Sequence, residues 1–292
     1  MSAEKQTTLR LLMPQWQGGN LHEYYIGAQV LAAVAPATDG PIELVQVPEP
    51  QPGEVLEIEN GIRARGAVLR QTRAARQAID RHSPDRVVTL GGDCLIDLAP
   101  MAYLNARYAG NLGVLWIDAH PDVLTPQDWP HAHTYVVSAL LGRGDPKLAG
   151  EVDVPIRPTH VMYAGLDTWS AVEGKTIEGL GLRHASAAAL ADGSTPVLDW
   201  IAGEGIQHVA VHFDVDVLDP RTFGPVLFNN PDPAADPLVG VPRGRLSPDH
   251  VVRLLGDVSK VCDIVGLAIA EYMPWEAIAT RNLLKRLPLF GG

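Results

Sequence analysis

The chain has 292 residues, 46 % hydrophobic and 20 % charged, with a formal net charge of −11. That length can bury a sizeable core as one large α/β domain or two small ones, and the composition is that of an ordinary soluble globular protein. The acidic balance excludes partners that need a concentrated basic face, nucleic acid above all, and disfavours an anionic membrane surface.

The same charge would modestly steer cationic substrates, although solubility alone accounts for it as well. Cys94 and Cys262 lie far apart, each inside a regular-looking element, so no disulfide framework is expected and a cytoplasmic location is. Met1 to Thr8 is polar and lacks a signal-type apolar core, and no stretch reaches the length of a membrane span.

Leu9–Met13 reads as a first strand ended by Pro14, and Tyr24–Val34 can form a helix. Ile42–Val47 alternates well enough for a second strand near a sheet edge. From Asn60 to His82 apolar residues recur at helical spacing with arginines on the other face, until Ser83-Pro84 stops the helix. Arg86–Leu90 is a third strand running into Gly91-Gly92-Asp93-Cys94, followed by a helix over Ile96–Arg107. Leu112–Ile117, short and continuously apolar, suits a fourth strand buried on both faces. His131–Leu141 looks helical, His160–Leu166 and Leu182–His184 are strands five and six, and Pro196–Ala202 is a helix. Val209–Phe213 is strand seven, and Phe223–Gly244 is a long proline-rich loop. Ser247-Pro248-Asp249 starts a helix running to about Val261, Ile264–Ala270 is strand eight, and an amphipathic helix closes the chain.

Strands alternate with helices throughout, which predicts a three-layer α/β/α sandwich around a mostly parallel eight-stranded sheet, with residues 1–292 as one domain. The fourth and seventh strands both run into acidic stretches: Asp118, His120 and Asp122 after one, Asp214 and Asp216 after the other. At alternate positions these side chains point the same way if the backbone stays extended, at the strand ends where open α/β sheets bind ligands. Asp is also an ordinary turn former. The four carboxylates would repel one another strongly without a cation, and a carboxylate-rich set with a histidine suits a divalent ion such as Mn²⁺.

Taken together, Gly91-Gly92-Asp93-Cys94, Asp118-Ala119-His120-Pro121-Asp122, Phe213 through Pro220 and Glu271-Tyr272-Met273-Pro274 resemble, in order, the motifs of the ureohydrolase (arginase/agmatinase) family. The resemblance implies a binuclear Mn²⁺ site, with Asp118 and Asp214 bridging, His120 and Asp216 on one ion, Asp122 and position 94 on the other. It also implies a homo-oligomer, trimer or hexamer. The family has histidine where this chain has Cys94. A thiolate favours Zn²⁺ or Fe²⁺; a poor ligand there would leave a single tightly held metal; and a buried Cys is also simply a small apolar residue.

The implied activity is a metal-dependent hydrolase cleaving a C–N bond of a guanidino or amidino compound, with release of urea or a related small amide, by a metal-bridging hydroxide. Asp122 would also accept a hydrogen bond from that hydroxide, Glu271 would orient the guanidinium, and His133, with His131 in reserve, would return a proton to the leaving amine. The loops Gln127–Pro130 and Gly165–Ser170 depart from the arginase pattern, which speaks against arginine itself; Trp129 and Trp169 are candidates to line the pocket for a small guanidino or amidino substrate. Two alternatives remain at this point. One is a catalytically degenerate family member that binds a metal or small molecule or completes a hetero-oligomer; the other is a single-zinc amide hydrolase like the histone deacetylases.

Overall fold

In the computed structural model, which describes residues 6–232, 238–277 and 283–289, all eight predicted strands join one parallel sheet. They are β1 (Thr8–Met13), β2 (Ile42–Leu44), β3 (Arg86–Gly91), β4 (Leu112–Ile117), β5 (Val161–Ala164), β6 (Arg183–Ala185), β7 (His208–Asp214) and β8 (Asp263–Ala270). Their order across the sheet is β2-β1-β3-β8-β7-β4-β5-β6. The central strands β3, β8, β7 and β4 are buried along nearly their whole length, as continuous apolar runs demand when both faces are covered. Ile42 and Leu44 of β2 remain exposed, in keeping with an edge.

Among the described residues, seven helices of five residues or more cover the faces, α1 (Glu23–Val34), α2 (Arg65–His82), α3 (Leu98–Arg107), α4 (Val136–Leu140), α5 (Ala171–Leu180), α6 (Thr195–Glu204) and α7 (Pro248–Val258), and a four-residue helix, Pro146–Ala149, follows α4. Alternation along the strands sorts the core into two layers. Val114, Trp116 and Ala210 pack with Val68 of α2, Met101 of α3 and Val137 of α4. Leu115, Ile117, Val211 and Phe213 pack on the opposite face with Trp200 of α6 and Leu254 of α7. The predicted α/β/α architecture is therefore the observed one.

Local chemistry sets the helix ends. Ser247 accepts a hydrogen bond from the His250 amide, and Pro248 occupies the first helical position of α7. On α2 the buried stripe includes Val68, Ala75 and Ile79, while Arg73 and Arg76 on the other face pair with Glu151 and Asp153. The helix expected from Asn60 begins only at Arg65. Ile58–Glu59 and Ile62–Arg63 form a two-stranded antiparallel ribbon whose turn residues, Asn60 and Gly61, both have positive φ; Asn-Gly is the strongest two-residue hairpin signal, and it overrides the helical period that continues beyond it.

Other elements also differ from the predicted ones: β2 ends at Leu44 and not Val47, β5 spans only Val161–Ala164, and α7 ends at Val258. A 3₁₀ turn, Cys94–Asp97, precedes α3. The His131–Leu141 helix divides into a 3₁₀ turn, Ala132–Tyr135, and α4. Helix α5, which sequence reading passed over, starts at a capping box made by Ser170 and Glu173. The closing helix falls largely on residues outside the described ones.

Candidate metal centre

The connection β3–α3–β4 skips two positions in the sheet, and β8 and β7 fill the gap. Four neighbouring strands thus end side by side: β3 before Cys94, β8 before Glu271, β7 at Asp214 and β4 before Asp118. Registers of Ala270 with Asp214 and of Ile117 with Phe213 keep these ends level. This is the crevice outside the carboxyl ends of an open α/β sheet, at a switch in strand order.

The backbone does not stay extended through Asp118-Ala119-His120-Pro121-Asp122. β4 stops at Ile117, the chain bends, and Asp122 adopts a left-handed conformation at φ 48°. Asp tolerates that region better than most residues. The bend sends His120 and Asp122 to different sides of Asp118. On one side Asp118, His120 and Asp216 converge, with His120 Nδ1 3.2 Å from Asp216 Oδ2 and 3.5 Å from Asp118 Oδ1. On the other, Cys94, Asp118, Asp122 and His212 bring one ligating atom each within 4.8 Å of one another. Cys94 also meets Asp214 and Glu271, with Sγ 3.1 Å from Asp214 Oδ2 and 3.3 Å from Glu271 Oε1. All six residues singled out as metal ligands, together with Glu271, therefore gather at one place.

The Gly-Gly-Asp motif positions more than Cys94. A Cβ on Gly92 would lie 1.6 Å from the Gln15 carbonyl oxygen, so only glycine lets β3 end against the loop after β1. Asp93 caps the turn that carries Cys94 by accepting from the Leu95 amide, and it also accepts from the Gly19 amide. Burial pushes its carboxyl up to about 7 against those amides. The loop it anchors offers the Gly18 carbonyl to His133 Nδ1 at 3.0 Å. A carbonyl can only accept, so Nδ1 carries the proton and Nε2 keeps a lone pair, 4.0 Å from Glu271 Oε1. His133 departs from the ordinary imidazole expected of a proton shuttle: burial lowers it to about 4. It is neutral near pH 7 and starts as a proton acceptor. The His131 ring lies 5.9 Å from it and 5.3 Å from the Trp129 ring.

Without a cation this site is self-repelling. Burial first, then the neighbouring carboxylates, pushes Asp122 and Asp214 well up and Glu271 up to about 8. The Cys94 thiol is driven up by burial and by the charges of Glu271, Asp122, Asp214 and Asp118. Asp118 is held below the usual carboxylate range, against its burial, by His120 and His212. His120 Nε2, Asp122 Oδ2, Asp216 Oδ1 and His212 Nε2 are buried without a hydrogen-bond partner. Unsatisfied donor atoms of these types beside protonated carboxylates are what divalent ions would complete, so the residues present fit the metals that the sequence implied.

Sequence reading missed His212 and Tyr24. His212 is fully buried, with Nδ1 2.5 Å from Asp97 Oδ2 and Nε2 3.6 Å from Asp118 Oδ2, and those two carboxylates raise it to about 10 against burial. The available signal was its place two residues before Asp214, hence on the same strand face. The Tyr24 phenol beside Glu271 comes from α1 and carried no local signal.

A cavity of about 450 Å³ opens above these groups. Glu271, His133 and His120 lie among its polar lining, whereas Leu227, Phe228, Leu238 and Val241 of the long loop make an apolar wall. Trp129, 52 % exposed, stands at its rim. Trp169 does not reach it; that ring packs on the core and meets His184 edge-on at 4.9 Å. Glu173, the acid on the same side, is engaged in the α5 capping box. No lysine or arginine is among the described lining residues.

A family model described as the arginase family matches residues 33–226. The arginase of Entamoeba histolytica is 27 % identical over 70 % of this chain and 69 % of its own length. That of Bacillus caldovelox is 32 % identical over a shorter stretch, 46 % of this chain and 47 % of its own. The solved structure of the latter superposes with a TM-score of 0.81 over 99 % of both chains, at 21 % identity. Formimidoylglutamase from Bacillus subtilis superposes at 0.68 over 100 % of this chain and 90 % of its own, at 15 % identity. The sheet order, the acidic, imidazole and thiol side chains gathered at its four central strand ends and the span of the family match agree: this chain belongs to the arginase family.

Proposed function

We propose that the protein is a metal-dependent hydrolase that cleaves a C–N bond of a linear guanidino or amidino compound and releases urea or a related small amide. One observation carries this reading: two clusters of candidate ligands share Asp118, buried just beneath a cavity that is lined by Cys94, His120, Asp122, Asp216, Glu271 and a neutral His133. Asp118, His120, Asp122, Asp214 and Asp216, with Cys94, would hold two ions, of which Mn²⁺ suits the carboxylates and Zn²⁺ or Fe²⁺ the sulfur. Such ions would activate water and polarise the substrate carbon.

The remaining work falls to the chain itself. Glu271, buried at a positive φ of 58°, is aimed from the end of β8 to pair with a planar cationic guanidinium. Asp122 would accept a hydrogen bond from the attacking water. His133 Nε2, open toward Glu271, would take the proton released in the attack and return it to the departing amine.

The outer cavity supports a substrate other than arginine. An α-carboxylate would meet apolar Leu227, Phe228 and Val241, with no cationic side chain among the described lining residues. Trp129 would lie over an apolar or cationic tail. The test is elemental analysis of the purified protein followed by urea and ammonia release across a panel of guanidino and amidino compounds with and without an α-amino-acid end. Stoichiometric divalent metal and turnover of compounds lacking that end are expected. Absence of both metal and turnover overturns the hydrolase; a preference for arginine overturns the substrate class.

A further inference from the structure

We propose that His212 is a metal ligand, the imidazole that completes the ion position bounded by Cys94, Asp118 and Asp122. This rests on the metal-hydrolase reading above and assigns a ligand that the ureohydrolase resemblance does not supply. Position comes first. His212 lies on β7 two residues before Asp214, on the sheet face covered by α2, α3 and α4, and its register partner on β4 is Trp116. The Trp116 indole stacks on the imidazole at 3.7 Å and 11°, which fixes the plane of the ring. The same indole donates through Nε1 to Asp118 Oδ2, tying the carboxylate to the imidazole that faces it.

The second argument is which nitrogen is free. Nδ1 is engaged with Asp97 at 2.5 Å and keeps its proton there, so the proton an ion would displace is the one on Nε2, at the opposite end of the ring facing Asp118. Carboxylate–imidazole pairs of this kind orient and strengthen histidine ligands. Asp97 ends the 3₁₀ turn that Cys94 begins, so a single turn supplies one ligand and the group that aims another. Nε2 is buried and has no hydrogen-bond partner. Its 3.6 Å separation from Asp118 Oδ2 is too long for a hydrogen bond. It is about the spacing, roughly 3.4 Å, of two ligands on one tetrahedral ion with bonds near 2.1 Å.

The donor set then balances. Each ion receives one imidazole, His120 on one side and His212 on the other, and Asp118 stands between them. The imidazole absent from position 94 returns from a different strand, and the thiol beside it becomes an additional ligand.

The test uses the full chain stripped with chelator and reloaded with Zn²⁺. Bound ions per chain come from elemental analysis, and imidazoles per ion from multiple scattering at the zinc absorption edge. Their product is expected to be two imidazoles per chain in the wild type and one in His212→Ala. Asp97→Asn, which leaves every ligand in place, should weaken zinc affinity about 10–100-fold. A product of one in the wild type, or a product unchanged in a folded His212→Ala, overturns the assignment while leaving the hydrolase reading intact. A wild-type chain that binds no ion overturns both.

Discussion

A thiol among carboxylates behaves in opposite ways with and without a cation in the same space. Cys94 is driven toward the neutral thiol by burial and four acidic neighbours, yet a divalent ion would invert that balance and take the sulfur as thiolate. Cys94→Ser removes the soft donor with almost no change of volume. The substituted protein should therefore lose Zn²⁺ relative to Mn²⁺, by several-fold or more, when loaded from an equal mixture and analysed by element. An unchanged ratio would reduce Cys94 to a small buried residue. Much at this scale was legible. The alternation of Asp118, His120 and Asp122 announced ligands once a second strand end carried Asp214 and Asp216, because turn formation alone does not call for two such acidic ends. Their sharing between two clusters was hidden, since it depends on a bend and a left-handed Asp122. The neutrality of His133 was hidden too, because burial is a property of the packed chain and not of the residue type.

Elements are held in place partly by charge in the interior. Arg65, the first residue of α2, pairs through two nitrogens with Asp145, and both side chains are nearly buried. Asp145 also caps the short helix Pro146–Ala149 by accepting from the Lys147 and Leu148 amides. Asp145→Ala would strand a buried guanidinium and remove a cap at once, and should cost about 3–5 kcal/mol in urea unfolding. A loss below about 1 kcal/mol would mean that water reaches Arg65 in the variant. Strands were the more legible elements. Continuous apolar runs such as Leu112–Ile117 leave one reading inside an α/β chain, whereas α5 has little apolar periodicity and declares itself only through its Ser170–Glu173 cap. The Asn60-Gly61 turn was equally visible but was masked by the helical spacing that follows it.

For the molecule as a whole, the clustered acids make metal-free stability depend on pH. Glu271 titrates near 8 in the folded chain and His212 near 10, both above their ordinary values. Across pH 6.5 to 10 the folded state thus binds more protons than the unfolded one, and stability falls as pH rises. His133 acts oppositely, with a folded value near 4, but only below its ordinary 6.5. Thermal melts of chelated protein should therefore drop in Tm between pH 6.5 and 9, and divalent ions, which replace those protons, should flatten the slope. Equal slopes with and without chelator would show that these groups do not share their space with ions.

The position of β8 has a consequence for how the chain reaches this state. Among the described residues it is the last strand in sequence, and it lies in the middle of the sheet, hydrogen-bonded to β3 on one side and β7 on the other. Until residues 263–270 have left the ribosome, the sheet can exist only as two halves, each exposing a long, apolar, unpaired edge. The nascent chain is most prone to aggregation or chaperone capture in the interval before β8 emerges. Cys94 follows β3 and Asp214 ends β7, so the cluster cannot close until β8 has joined the two halves.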